Sequence, residues 1–156
     1  SGGVVALEGA YWDSEDDRFG TNPVVENSMV KMLAGYSCPL WRDATLGLQA
    51  YSERILDYET YRATLPAGFP VRDERRWLAT GRLTQLLWNQ TFTGSLFAFW
   101  GVTDRDGYFI PSARYAVTDN VWVEVGANLF VGRDSHTMFG SLDKNDNVYA
   151  TVRYSF

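Results

Sequence analysis

The chain has 156 residues, a net charge of −5 and a lone cysteine, Cys38. That length suits one domain, the acidity argues against a nucleic-acid partner, and a lone thiol excludes both an internal disulfide and a cysteine-built metal cluster. No run of about 18 apolar residues occurs, which excludes a transmembrane helix; a transmembrane barrel would show only weak alternating segments and stays open.

Eight segments of period-two alternation follow in chain order, at 3–12, 28–38, 44–53, 76–88, 91–102, 108–117, 121–132 and 147–156. Each has one apolar and one polar face, although 91–102 carries Phe on both. In the first, Val5, Leu7 and Tyr11 oppose Glu8; in the second, Val30, Met32, Ala34 and Tyr36 oppose Lys31; the third contributes Leu46, Leu48 and Ala50. The fourth and fifth meet at a short turn, 89–90. A hairpin there sets Leu87 opposite Phe92, Leu83 opposite Leu96 and Ala79 opposite Trp100 on one face, and Arg82 opposite Phe97 on the other. A slip of one residue destroys this segregation. The sixth carries Pro111, a residue that cannot donate to a ladder, so a bulge or an unpaired position is expected there. The turn at Asp119 sets Arg114 opposite Glu124 and Ala113 opposite Val125. The eighth alternates from Val148 through Ala150, Val152 and Tyr154 to Phe156, with Arg153 on its other face.

The connections 39–43, 89–90 and 118–120 are short, whereas 13–27, 54–75, 103–107 and 133–146 are longer on the whole and hold most of the charge. An up-and-down meander puts the two sets at opposite ends. Aromatic residues gather at both ends of the apolar face: Tyr36, Trp41, Trp88, Phe92, Tyr115, Tyr154 and Phe156 toward the short turns, and Tyr11, Trp77, Trp100 and Phe109 toward the loops. Two such belts are the arrangement expected of interfacial girdles. The polar face is rich in Thr, Ser, Gly, Asn, Gln and Arg, and lysine is limited to Lys31 and Lys144, which fits a packed polar lumen better than a solvated exterior. The expected fold is therefore all-β: one eight-stranded antiparallel up-and-down transmembrane β-barrel domain spanning 1–156, with both chain ends at the short-turn side.

The terminal pattern Val148-x-Ala150-x-Val152-x-Tyr154-x-Phe156 and the Val117-Thr118-Asp119-Asn120 turn followed by Val125-Gly126-Ala127-Asn128 resemble bacterial outer-membrane β-barrels, and in particular the C-terminal strands of porin-type proteins. The resemblance implies an outer-membrane location, the lipid bilayer and lipopolysaccharide as surroundings, and an assembly machinery that reads Val152, Tyr154 and Phe156. It implies a porin-like passive channel for small polar solutes, or the C-terminal part of one. An exported protein of this kind is expected in mature form. Alternatives are a small closed barrel with a filled polar interior, serving as anchor, adhesin or scaffold, and a soluble carrier of apolar ligands with the faces inverted.

The candidate site is the set of charges on the polar face: Glu8, Lys31, Arg82, Arg114, Glu124 and Arg153. In a wide pore these form a selective constriction. In an eight-stranded barrel, whose interior side chains fill, they are expected as a mutually neutralising network. No cofactor or metal is expected, because Asp13-Ser14-Glu15-Asp16-Asp17 and Asp143-Lys144-Asn145-Asp146 lack the ordered spacing and glycine of a calcium loop and read as solvated loops. His136, in Asp134-Ser135-His136, has no orienting third group and its neighbours point apart, so the chain is expected not to be an enzyme. Loop 54–75, with Tyr58, Tyr61, Leu65 and Phe69, is expected to fold into the barrel mouth, to bind a partner, or to pack on itself at the surface.

Overall fold

The computed structural model describes residues 2–156. It contains eight strands in one antiparallel sheet: β1 (Val4–Trp12), β2 (Met29–Pro39), β3 (Ala44–Ile55), β4 (Arg75–Leu87), β5 (Phe92–Gly101), β6 (Asp106–Ala116), β7 (Val121–Val131) and β8 (Asn147–Tyr154). They pair in chain order, each with its sequence neighbours, so the fold is an up-and-down meander. The sheet is open: β1 pairs with β2 alone and β8 with β7 alone. Both edges therefore present a row of unpaired backbone groups.

Register follows the alternation. Leu87 faces Phe92, Arg82 faces Phe97 and Ala79 faces Trp100 across β4–β5, although the connecting turn is 88–91 and so longer than expected. Trp88, Asn89 and Gln90 there all have positive φ, which lets so tight a reversal match the strand twist. Across β6–β7, Arg114 faces Glu124 and Ala113 faces Val125. That ladder breaks between Phe109–Leu129 and Ser112–Gly126 without any shift in register. Pro111 is thus an unpaired position and not a bulge; it pairs with Leu96 on its other side.

The short connections 40–43, 88–91 and 117–120 share one end of the sheet, and the long ones 13–28, 56–74 and 132–146 share the other. The β5–β6 connection, 102–105, lies at the long-loop end yet is as short as the turns opposite, closed by Arg105 at φ 53° and by the bond its N–H donates to the Gly101 carbonyl.

Loop 56–74 contains a helix that period-two reading does not reveal, α1 (Tyr58–Thr64). Asp57 adopts a left-handed conformation to turn the chain, its carbonyl accepts from the Tyr61 N–H, and Pro66 follows the last turn. The Tyr58 hydroxyl donates to the Arg72 carbonyl and the Tyr61 hydroxyl accepts from the Arg72 N–H, so the loop packs on itself. It also docks on loop 13–28, where the Asn27 amide donates to the Leu56 carbonyl. The buried apolar residues are Met29, Ala44, Ile55, Tyr61 and Phe139: the core sits mainly under these loops, and the broad faces of the sheet contribute little to it.

Asp17, expected in a solvated acidic loop, is instead buried and accepts hydrogen bonds from the Asn22 N–H and the Thr21 hydroxyl. The Asn22 N–H, with lesser help from the Thr21 and Phe19 backbone and the Thr21 hydroxyl, holds its carboxyl below the usual 3.8. The stabilisation is complete above the ordinary carboxylate range and fades as pH falls through the lowered value. Proteolysis of loop 13–28 is expected to accelerate in that acid window, and Asp17→Asn should lose this acid dependence.

Candidate functional site

The alternation divides the sheet into an apolar and a polar face. On the apolar face Leu7 is 77% exposed, Val125 56% and Val152 73%. The aromatic residues expected at its ends lie where the pattern put them: Tyr36, Phe92 and Tyr115 at the turn end of β2, β5 and β6, with Trp88 packed against Phe92 and Tyr115 at 5.3 and 6.4 Å. Trp41 lies in the β2–β3 turn and donates its indole N–H to Gln85 Oε1. Trp77, Trp100 and Phe109 stand toward the long-loop end of β4, β5 and β6. Tyr154 and Phe156 sit together at 6.4 Å, and Val152 precedes them on the apolar face of β8.

The polar face carries three groups of side chains. Near the turn end of β6–β8, the Arg114 Nε donates to Glu124 Oε2 at 2.8 Å, its Nη2 lies at 2.8 Å from the same oxygen, and its guanidinium stacks on Trp122 at 4.2 Å. The Tyr149 hydroxyl donates to the other oxygen of Glu124. Arg114 and Glu124 are thus the pair the register implied.

The other expected members of the network stay apart. Arg153 faces Trp122 and forms no ion pair with Glu124, which faces Thr151. Glu8 faces Leu33, while Lys31 lies 5.7 Å over the Trp12 ring. Arg82 covers Phe97 at 4.7 Å and meets no carboxylate among the described residues. A single neutralising network is therefore not what forms: two of the six charges pair, and Lys31 and Arg82 rest on aromatic rings.

The second group borders a hollow. Gly35 and Gly47 carry no side chains, and around them Ala6, Ser37, Gln49, Thr80, Arg82 and Phe97 line a space of about 410 Å³. The Thr80 hydroxyl donates to Gln49 Oε1 at 3.0 Å. Beyond Phe97 the same face fills with rings: Phe99 stacks on Tyr108 at 6.0 Å, Tyr108 on Phe130 at 4.4 Å, and Phe139 from the β7–β8 loop folds onto them. One side of the polar face is hollow and the other is packed.

The third group, at the long-loop end, is absent from the sequence reading. Glu53, 9% exposed, accepts from the Tyr51 hydroxyl at 2.9 Å and lies 3.5 and 3.8 Å from Arg72 and Arg76. Arg76 Nε donates to Asp104 at 2.6 Å. This cluster edges a cleft of about 360 Å³ whose other wall includes Asp73, His136, Thr137 and Met138. Buried Asp106 accepts from the Phe139 N–H at 2.7 Å and so fixes the β7–β8 loop. The cross-strand pair Glu53–Arg76 was the signal that could have exposed the group, but β3 and β4 are joined by a long loop that does not set register. His136 lies on the cleft wall.

Comparison with protein-family models, characterised proteins and solved structures finds no match to this chain.

Proposed function

We propose that the chain forms the wall of a bacterial outer-membrane β-barrel that conducts small polar solutes passively, in the manner of a porin. The observation that carries this reading is the exposure of the apolar face: its large side chains, among them Leu7, Val125 and Val152, stand exposed along the strands and form no buried strand-centre core. In water, so large an apolar surface drives association; in lipid it is the favoured surface. Aromatic residues at both ends of that face fit the two headgroup layers. Gln49, Thr80 and Arg82 place polar groups at the hollow on the polar face, where a hydrated lumen would run, beside the apolar Ala6 and Phe97.

A membrane tolerates no free strand edge, so β1 and β8 must both find partners. They run antiparallel to each other, and antiparallel closure is therefore met by direct pairing or by an even number of intervening strands. Glu8 on β1 and Thr151 and Arg153 on β8 are exposed beside the open edges, and either closure would turn them toward the lumen.

The ring stack from Phe97 to Phe139 favours a second reading, a barrel with a filled interior that anchors or scaffolds without transport. Planar-bilayer recording on the purified protein separates them. Discrete, long-lived conductance steps are expected. Insertion without steps would sink the channel reading in favour of the filled barrel.

A further inference from the structure

On the apolar face at the long-loop end, a cleft of about 330 Å³ lies among Val30, Met32, Ser52, Arg54, Arg75 and Trp77. Its construction follows from two adjacent rows of the sheet. In one row Met32, Ser52 and Trp77 are cross-strand neighbours, and the small Ser52 leaves a trough between the two larger side chains. In the next row toward the loops, Val30, Arg54 and Arg75 are neighbours, with Tyr11 beyond Val30.

Arg54 and Arg75 therefore face each other directly, two exposed cations on neighbouring strands, an arrangement that costs stability unless an anion lies between or beside them. Glu74 answers one of them, accepting from Arg54 Nε at 2.8 Å. Arg75 has no carboxylate within salt-bridge distance among the described residues. Glu53 also lines the cleft, but its carboxylate is answered by Arg72 and Arg76 at 3.5 and 3.8 Å, so Arg75 is the cation left without a partner, above an apolar trough at the level of the aromatic residues Tyr11 and Trp77.

We propose that this cleft binds a phosphorylated, acyl-bearing lipid of the surrounding leaflet. The phosphate sits against Arg75 and the outer edge of Arg54, and the first part of an acyl chain lies over Ser52 between Met32 and Trp77. The charge selects an anionic headgroup, arginine being well suited to phosphate, and the trough selects an amphiphile over a free anion. The inference rests on the membrane reading above and adds the class of lipid and the residues that hold it.

The test uses the purified protein in a maltoside detergent. Binding of phosphatidic acid and of phosphatidylcholine with identical acyl chains is followed by native mass spectrometry, with inorganic phosphate as a separate arm. Wild-type protein should retain phosphatidic acid in clear preference to phosphatidylcholine. Arg75→Gln should weaken that retention about fivefold, the contribution of one surface cation near an anionic headgroup. Arg54→Gln should weaken it less, because Glu74 already shares that charge, and Trp77→Ala should weaken both lipids. Excess inorganic phosphate should leave the lipid bound.

Equal retention of the two lipids, or an Arg75→Gln variant that retains phosphatidic acid unchanged, would overturn the site. Complete displacement by inorganic phosphate would overturn it too, by showing that the trough contributes nothing. Flotation with phosphatidylcholine vesicles, run first on wild type and Arg75→Gln, tells the two levels apart. A protein that fails to float overturns the membrane reading and the site with it; one that floats but shows no lipid preference overturns the site alone.

Discussion

Arginine at position 125 should destabilise the protein in phospholipid vesicles by about 2–4 kcal/mol, while arginine at position 151 should be close to neutral. Val125 lies near the middle of β7 on the apolar face, flanked by Ala113 on β6 and Ala150 on β8. More than half of its surface is exposed, so in a water-soluble protein Val125→Arg would sit among ordinary surface substitutions, within about ±0.5 kcal/mol. The large effect arises if lipid surrounds the side chain, because the guanidinium then has no water and no counter-charge at that depth. Thr151 is its counterpart on the polar face of β8, opposite Glu124, where an added cation gains a carboxylate partner. Urea titrations followed by tryptophan fluorescence measure both variants. A neutral Val125→Arg beside a damaging Thr151→Arg would mean that the polar face, not the apolar one, meets the surroundings.

Strand count and register were legible because the evidence for them is local and redundant. Each strand repeats its apolar–polar alternation over eight or more residues, and a short turn leaves little freedom in how two such patterns align. Arg114 and Glu124 could be paired from sequence for this reason: a four-residue connection separates β6 from β7. The loop-end cluster was not legible. Glu53 and Arg76 are brought together across 56–74, which contains its own helix, and neither the loop length nor the helix fixes the offset of β4 against β3. Asp104 enters from the β5–β6 turn and depends on the left-handed Arg105 beside it. Face was likewise legible where pairing was not. Lys31 and Arg153 lie on the expected face, but a shared face permits several neighbours. Lys31 meets the Trp12 ring, and Arg153 faces Trp122. The helix α1 spans seven residues, too few for its 3.6-residue period to stand out within a tyrosine-rich loop.

Arg76→Ala should cost about 3 kcal/mol, the scale for removing one partner from a largely buried charge pair and leaving the other without compensation. Arg76 ties together three of the segments that frame the loop-end cleft. Its Nε donates to Asp104 in the β5–β6 turn, its Nη1 lies 3.8 Å from Glu53 on β3, and its Nη2 reaches Met138 Sδ in the β7–β8 loop at 3.7 Å. The side chains of Arg76 and Asp104 are 23% and 20% exposed and that of Glu53 10%, so solvent screens these contacts far less than it does the exposed Arg42–Asp43 pair. Removing the guanidinium leaves the Glu53 and Asp104 carboxylates partly desolvated, with Arg72 at 3.5 Å as the remaining cation near Glu53. The pair Arg76→Ala and Asp104→Ala supplies a double-mutant cycle, and a coupling above about 1 kcal/mol is expected because Asp104 has no other cation within salt-bridge distance among the described residues, while Arg76 keeps only the longer contact to Glu53. Arg42→Ala, in the exposed β2–β3 turn, is the reference and should change stability by less than about 0.5 kcal/mol. Were Arg76→Ala no more costly than that reference, the cluster would be an incidental surface arrangement and the cleft it frames would have no fixed shape.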